Sequence, residues 1–213
     1  MNGKQAVYLD FDGTLFDSIP IAYRATCEIF AEAQCAPPSF EDYVEHCHAP
    51  FEVFFNSRGV GLSKDELWIR FNREVNNFEK AQFFTDVVPV LATLARHQWF
   101  TGIISAQQEK TLLHHCDKSG ITRSFSAGIQ GDIADKAAAI TLLREKHELP
   151  IQNVWYIGDF PSDMKHARAA GVRAVGILRG NHRAEKMLRT AGAHYCVNTL
   201  YEFLALAGIC GGD

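Results

Sequence analysis

Two aspartates, Asp10 and Asp12, lie in the sequence DFDGTL at the end of a short apolar run. In an open parallel sheet, ligands bind outside the carboxyl ends of the strands, so a strand that ends here would carry both carboxylates into a binding crevice. Gly13 permits the sharp backbone turn that lets the two side chains point into the same space. The pair predicts a functional site at the end of the first strand.

Three further segments place polar groups at corresponding points of the sequence. Ser105 ends a second apolar run, Lys136 opens the helix after a third, and Asp159 and Asp163 follow a fourth in the sequence GDFPSD. Carboxylates that lie close together repel each other and shift towards protonation unless a cation holds them, and Mg²⁺ prefers oxygen ligands. The segments together predict an acidic metal site with a hydroxyl and an ammonium group beside it.

Short apolar runs alternate with helical periods along most of the chain. The predicted strands are residues 6–10, 100–105, 125–129, 154–158, 174–177 and 195–197. The predicted helices are residues 87–97, 107–118, 135–147, 163–170, 182–190 and 199–207. Repeated βα units predict a mostly parallel sheet covered on both faces. The expected fold class is α/β, with a doubly wound, mostly parallel sheet.

Residues 19–83 interrupt this pattern, because they contain several helical periods and no convincing strand. Apolar residues at helical spacing mark one helix near residues 22–33 and another that starts near Ser63, a plausible N-cap. We therefore predict an α-helical module of residues 19–83, inserted into a core domain of residues 1–18 and 84–213.

The composition argues against several classes of partner. The 213 residues include 21 Lys and Arg against 25 Asp and Glu, a formal charge of −4, with no basic block, so we expect no nucleic-acid partner. The N-terminal sequence lacks the apolar run of a signal peptide, and no later stretch has the roughly 18 apolar residues of a membrane span. We expect no membrane association and a cytoplasmic location, and the sequence leaves the oligomeric state open.

The order of these motifs resembles a known family. DFDGTL, a strand-end Ser, an isolated Lys and GDxxxD are similar, in this order, to the four signature motifs of the haloacid dehalogenase superfamily. The helical insertion after the first motif resembles the small cap of phosphoglycolate phosphatases and β-phosphoglucomutases. The segment GDFPSDMKHARAAGVRAVGILRG is especially similar to phosphoglycolate phosphatase-like members. The chain has Ala106 where Asn is common, but the backbone amide of Ala106 remains.

The resemblance implies a Mg²⁺-dependent phosphatase that acts on a small phosphorylated metabolite. It implies that Asp10 attacks phosphorus to form an aspartyl-phosphate, and that Asp12 protonates the leaving oxygen and later activates water. Ser105 and the amide of Ala106 would bind phosphoryl oxygens, while Lys136 would neutralise charge. The implied Mg²⁺ ligands are Asp10, the carbonyl of Asp12 and Asp159, with Asp163 as a further ligand or a supporting acid.

Other functions remain open at this point. A phosphomutase of the β-phosphoglucomutase type uses the same four motifs and differs in whether its cap excludes water. A catalytically silent regulatory protein would keep the fold without turnover. Asp12 argues against a dehalogenase and a phosphonate hydrolase, since members of those kinds do not carry this second aspartate.

The four motifs do not specify which phosphorylated compound is the substrate. The loop of residues 46–50, between two predicted helices of the inserted module, is our candidate for substrate discrimination. His46, His48 and Arg58 are the possible contacts to the leaving group.

Overall fold

The computed structural model describes residues 3–47, 50–76, 82–182 and 184–209 of the chain. The chain divides into two compact units. The first comprises Met1–Phe16 and Phe83–Asp213, and the second comprises Asp17–Gln82. The second unit is thus a continuous insertion into the first. Its predicted role as a cap stays a prediction.

The first unit is built on six parallel strands. They are β1 (Ala6–Leu9), β2 (Phe100–Ile104), β3 (Gly128–Gln130), β4 (Val154–Gly158), β5 (Arg173–Ile177) and β6 (Tyr195–Val197). Their order is β3-β2-β1-β4-β5-β6, and every neighbouring pair is parallel. The order reverses beside β1, as in doubly wound sheets that bind ligands at this point. The predicted α/β fold class is confirmed.

The described residues form ten α-helices. Four lie in the second unit: α1 (Ile19–Glu32), α2 (Phe40–His46), α3 (Phe51–Asn56) and α4 (Lys64–Asn76). Six lie in the first unit: α5 (Val87–Arg96), α6 (Glu109–Lys118), α7 (Lys136–Lys146), α8 (Pro161–Ala169), α9 (Ala184–Thr190) and α10 (Leu200–Leu206). None of these helices is long and apolar enough to cross a membrane.

The central strands of the sheet are buried on both faces. Tyr8 and Tyr156 belong to one core, which also contains Ile104, Ile140, Leu143 and Met164. Trp155 precedes Tyr156 and so points to the opposite face, where its ring meets that of Phe203 edge-on at 5.5 Å between centroids. Burial on both faces explains why these strands are continuous apolar runs in the sequence rather than alternating ones.

The second unit has its own apolar core. Its buried residues are Ile29, Phe30, Cys47, Phe54, Phe55, Val60 and Leu67. Ser63 caps α4 as expected: its hydroxyl accepts from the Glu66 amide at 3.4 Å, and Glu66 Oε2 accepts from the Ser63 amide at 2.9 Å. Arg70 pairs with Glu32 at 2.9 Å and links α4 to α1.

The third strand starts later than the sequence predicts. Residues 122–124 form a 3₁₀ turn, and β3 begins only at Gly128. Phe125 and Ala127 are buried nevertheless, because their loop is bonded to β2: the Ala127 amide donates to the Thr101 carbonyl at 2.8 Å. The prediction of a strand over residues 125–127 was wrong because burial in a packed loop produces the same apolar pattern.

A buried ion pair ties distant parts of the first unit together. Arg179 Nη1 lies 2.6 Å from Asp86 Oδ2, and both side chains are less than a tenth exposed. The same guanidinium donates to the Thr14 carbonyl from Nε at 3.1 Å and from Nη2 at 2.6 Å. Asp86 Oδ2 also accepts from the Leu200 amide at 2.8 Å. One ion pair thereby connects the segments that follow β1 and β5 with the starts of α5 and α10.

We expect Asp86→Ala to lower the free energy of unfolding by about 3 kcal/mol, because it leaves the buried Arg179 charge without its carboxylate. Urea denaturation of the whole chain measures this change. Glu145→Ala is the matched control, since it removes the exposed carboxylate that pairs with the partly buried Arg144 and should cost less than about 1 kcal/mol. Equal losses in the two variants would contradict a stabilising role for the buried pair.

Candidate active site

The turn after β1 fixes the two aspartates of the first motif. The Asp10 amide donates to the Ile157 carbonyl at 2.9 Å, which extends the pairing of β1 with β4 by one residue. The chain then folds back sharply, and the amides of Leu15 and Phe16 both donate to the Phe11 carbonyl, at 2.9 and 3.0 Å. Asp10 therefore stays at the sheet edge while Asp12 starts the turn.

Gly13 is required in this turn for two reasons. Its φ of 70° lies in the left-handed region that side chains disfavour. A Cβ atom at this position would also lie 2.2 Å from Asp159 Oδ2. The space next to Gly13 is occupied by a carboxylate from the neighbouring strand's loop.

The loop after β4 holds the second pair of acids. The Asp159 Oδ1 atom accepts from the Thr14 hydroxyl at 3.1 Å, and Asp163 Oδ2 accepts from the Phe160 amide at 3.1 Å. Asp163 lies in the first turn of α8, where the helix dipole favours a negative charge. A Cβ atom at Gly158 would lie 2.5 Å from the Asp163 side chain, so Gly158 makes room for it.

These loops bring three carboxylates together. Asp10, Asp159 and Asp163 each offer an oxygen atom within 4.8 Å of the others. Lys136, at the start of α7, places Nζ 2.9 Å from Asp10 Oδ1 and 2.7 Å from Asp163 Oδ1. Asp10 and Lys136 are less than a tenth exposed, Asp163 is fully buried, and Asp159 is half-buried.

The charges in this cluster shift the pKa values of its members. Burial raises the pKa of Asp159 well above its ordinary value, and the charges of Asp10 and Asp163 raise it further. Burial and the Asp10 charge also raise the pKa of Asp163, although Lys136 opposes them. For Lys136, burial alone would lower the pKa, but the charges of Asp10 and Asp163 outweigh it and raise the pKa. Negative charge thus exceeds positive charge within the described cluster.

The donor set fits a hard divalent cation. All three acidic side chains offer oxygen atoms, the type of ligand that Mg²⁺ and Ca²⁺ take in proteins. Asp12 is not part of this carboxylate group; its carboxylate lies beside the β2 loop instead, where Oδ2 accepts from Gln107 Nε2 at 3.3 Å. A cation at Asp10, Asp159 and Asp163 would offset both the burial of negative charge and the mutual repulsion that raise the pKa of the latter two.

Ser105 lies directly after β2, the strand next to β1. Its amide donates to the Gln130 carbonyl at 3.0 Å, and its hydroxyl accepts from the Gln107 amide at 3.2 Å. The residue is 2% exposed, whereas Ala106 is exposed. The order of strands therefore brings Ser105 to the same sheet edge as Asp10.

Several residues that shape this edge were not among the sequence-based candidates. Thr14 orients Asp159, Gln107 contacts Asp12, and Arg179 holds the carbonyl of Thr14. Thr14 belongs to the DFDGTL motif, so the motif contained a signal for it. Gln107 and Arg179 form their contacts across the fold, and no local pattern in the sequence indicates them.

The candidate substrate contacts Arg58 and His46 bind other residues of the second unit. Arg58 donates to both oxygens of Asp42, at 3.2 Å from Nε and 2.9 Å from Nη2, and its guanidinium lies 3.9 Å above the Phe54 ring. His46 Nδ1 is 3.0 Å from the same Asp42. These contacts give Arg58 a structural role within its own unit. The third candidate, His48, lies outside the described residues.

Comparison with known proteins agrees with this geometry. Residues 7–177 match the family model of haloacid dehalogenase-like hydrolases. A phosphoglycolate phosphatase from Synechococcus elongatus is 28% identical over 184 residues, which cover 83% of this chain and 84% of that protein.

Solved structures share the fold. A haloacid dehalogenase-like family hydrolase from Streptococcus pneumoniae superposes with a TM-score of 0.80 at 25% identity, covering 97% of this chain and all of the other. A structure from Haemophilus somnus, described as a predicted phosphoglycolate phosphatase, has a TM-score of 0.76 at 17% identity, covering 97% and 99% of the two chains. The family resemblance that the sequence motifs indicated is confirmed, as is the prediction that the chain is a hydrolase; the curated relatives are named phosphatases, in line with the predicted phosphoric monoester hydrolase. The chain belongs to the family of haloacid dehalogenase-like hydrolases.

Proposed function

We propose that this hydrolase is a Mg²⁺-dependent phosphatase that cleaves a small phosphate monoester through an aspartyl-phosphate on Asp10. The observation that carries the proposal is the cluster of Asp10, Asp159 and Asp163, whose oxygens lie within 4.8 Å of one another, with Lys136 between Asp10 and Asp163. A cluster of this kind costs free energy unless cationic groups compensate it, so its presence at a sheet edge favours a functional role.

The proposed Mg²⁺ ligands are the side chains of Asp10 and Asp159 and the carbonyl of Asp12. Asp163 is a further ligand or supports the others through Lys136, to which it is bonded at 2.7 Å. When bound, Mg²⁺ supplies positive charge that offsets the phosphoryl charge and the charge of the carboxylates. The all-oxygen donor set favours a hard divalent cation, and the choice of Mg²⁺ among such cations rests on the resemblance of the four motifs to those of the family.

Asp10 is the proposed nucleophile. Its carboxylate attacks phosphorus, so that a bond forms between phosphorus and an Asp10 oxygen while the bond to the leaving oxygen breaks. Asp12 transfers a proton to that leaving oxygen and is then a carboxylate. In the second step Asp12 takes a proton from water, the resulting oxygen attacks phosphorus, and Asp10 is released as a carboxylate together with inorganic phosphate.

Three groups of the chain are proposed to hold the transferring phosphoryl group. The Ser105 hydroxyl and the Ala106 amide donate hydrogen bonds to its oxygens. Lys136 neutralises charge that Asp10 shares with it, as its contact at 2.9 Å allows. Positioning and charge stabilisation of this kind account for most of the catalysis in phosphoryl transfer.

The helical second unit is the proposed cap that selects the substrate. It has an independent core and is inserted into the catalytic unit after the first motif. The relative from Synechococcus elongatus is named for phosphoglycolate, which makes that compound the first to test in a panel of phosphorylated metabolites. The cytoplasmic location and the lack of nucleic-acid and membrane partners stay predictions from composition.

We expect Asp10→Asn to abolish turnover of an aryl phosphate in the presence of Mg²⁺, because a neutral amide is a poor nucleophile and a weaker metal ligand. Phosphate release measures the loss. Asp117→Asn is the matched control: it makes the same change at an exposed site on α6, where the remaining oxygen still accepts from Thr122, and it should keep full activity.

The metal is tested in the same assay with the wild-type chain. Excess chelator should remove activity, and added Mg²⁺ should restore it. Full turnover in chelator would contradict the metal proposal, while full turnover of Asp10→Asn would contradict the nucleophile.

We expect Asp12→Asn to slow the first step about 10²–10⁴-fold for an alkyl phosphate and much less for a nitrophenyl phosphate. An alkoxide needs a proton to leave, whereas nitrophenolate is stable without one. Single-turnover measurement with excess enzyme isolates this step from the slower hydrolysis of the intermediate. Equal losses for the two leaving groups would show that Asp12 acts through structure or metal binding instead.

A further inference from the structure

The side chain of Gln107 contacts the proposed acid and base, Asp12. Gln107 Nε2 donates to Asp12 Oδ2 at 3.3 Å, across 95 positions of sequence. At its other end, Gln107 Oε1 accepts from the Gln108 amide at 2.9 Å. Because a backbone amide only donates, the oxygen of the Gln107 side chain must face Gln108 and its nitrogen must face Asp12. The orientation of the amide is thus determined by its surroundings.

The backbone of Gln107 is also hydrogen-bonded on both sides. Its amide donates to the Ser105 hydroxyl at 3.2 Å, and its carbonyl accepts from the Asp132 amide at 2.8 Å. The loop after β3 comes so close that a Cβ atom at Gly131 would lie 2.6 Å from the Gln107 carbonyl oxygen. The sequence predicted that this helix starts at Gln107, but α6 begins at Glu109. The contacts of Gln107 with the neighbouring loops explain the difference.

A neutral amide is suited to holding an acid that must change its protonation state. The Lys136 ammonium lies 2.9 Å from Asp10 Oδ1, so the proposed nucleophile has a cationic neighbour. Gln107 carries no charge and no acidic proton, so it orients one oxygen of Asp12 without competing for the transferred proton. Asp10 thus contacts a cationic group and Asp12 contacts a neutral amide, and these contacts match their different proposed tasks.

We propose that Gln107 is a positioning residue that holds Asp12 where it can protonate the leaving oxygen. The proposal rests on the phosphatase mechanism given above and adds a residue to it. Loss of the amide removes one bond that orients the carboxylate, so the fraction of molecules with Asp12 in the productive rotamer falls and the proton-dependent step slows. A single hydrogen bond to a charged group corresponds to about a tenfold change in rate.

The test compares Gln107→Leu with Gln108→Leu, the same change at the exposed neighbour, whose side chain forms no cap bond with α6. In single-turnover cleavage with Mg²⁺, Gln107→Leu should lose about tenfold on an alkyl phosphate and little on a nitrophenyl phosphate. Gln108→Leu should cleave both substrates at the wild-type rate. Gln107→Glu provides a second variant: it keeps the acceptor for the Gln108 amide but places a carboxylate against Asp12, so its loss on the alkyl phosphate should equal or exceed that of Gln107→Leu.

A double variant separates positioning from a general structural effect. In the Asp12→Asn background, Gln107→Leu should cause no further loss, because the group that it positions is already absent. A uniform loss for both leaving groups, or an undiminished loss in the Asp12→Asn background, would overturn the positioning role of Gln107. The proposed phosphatase mechanism would not be affected by that result. If the rate loss of Asp12→Asn itself did not depend on the leaving group, the proposed acid role of Asp12 would be wrong. The proposal for Gln107 would then be wrong as well.

Discussion

Three carboxylates share one edge of the sheet, and much of the surrounding structure serves to keep them there. Burial and the charges of neighbouring carboxylates raise the pKa of Asp159 and Asp163, so the negative charge of this cluster costs free energy unless it is compensated. Lys136 compensates two of them directly. The glycines at positions 13 and 158 leave the space that the acids occupy. The chain therefore maintains a site of high negative charge that a hard cation can stabilise.

The contacts around this edge differ according to what each acid is proposed to do. Asp163 is bonded to Lys136 and to the Phe160 amide, so it is fixed at the start of α8. Asp159 has the Thr14 hydroxyl, and Thr14 is in turn held through its carbonyl by Arg179. The ion pair of Arg179 with Asp86 extends this network to the start of α5, where the chain has just returned from the inserted unit. A buried pair that touches none of the proposed reacting groups is thus connected to Asp159 through Thr14.

The sequence was informative about the fold because β1, β2, β4 and β5 are buried on both faces. Burial on both faces requires continuous apolar runs, which can be recognised without a structure. The same signal failed at residues 125–127, where Phe125 and Ala127 are buried in a loop bonded to Thr101 rather than in a strand. Apolar character reports burial, and it reports strand geometry only where the backbone is also paired with a neighbour.

The sequence by itself determined which acids, hydroxyl and ammonium stand at the ends of strands, because each motif is a local feature of a few residues. It also indicated the family, since the four motifs stand in the order typical of it, and the family model matches residues 7–177. Only the tertiary structure decided that Gln107 contacts Asp12 and that Arg179 reaches Thr14, because these bonds join residues 95 and 165 positions apart. Such contacts depend on the order of the strands and on the conformations of separate loops. No spacing within one segment encodes them.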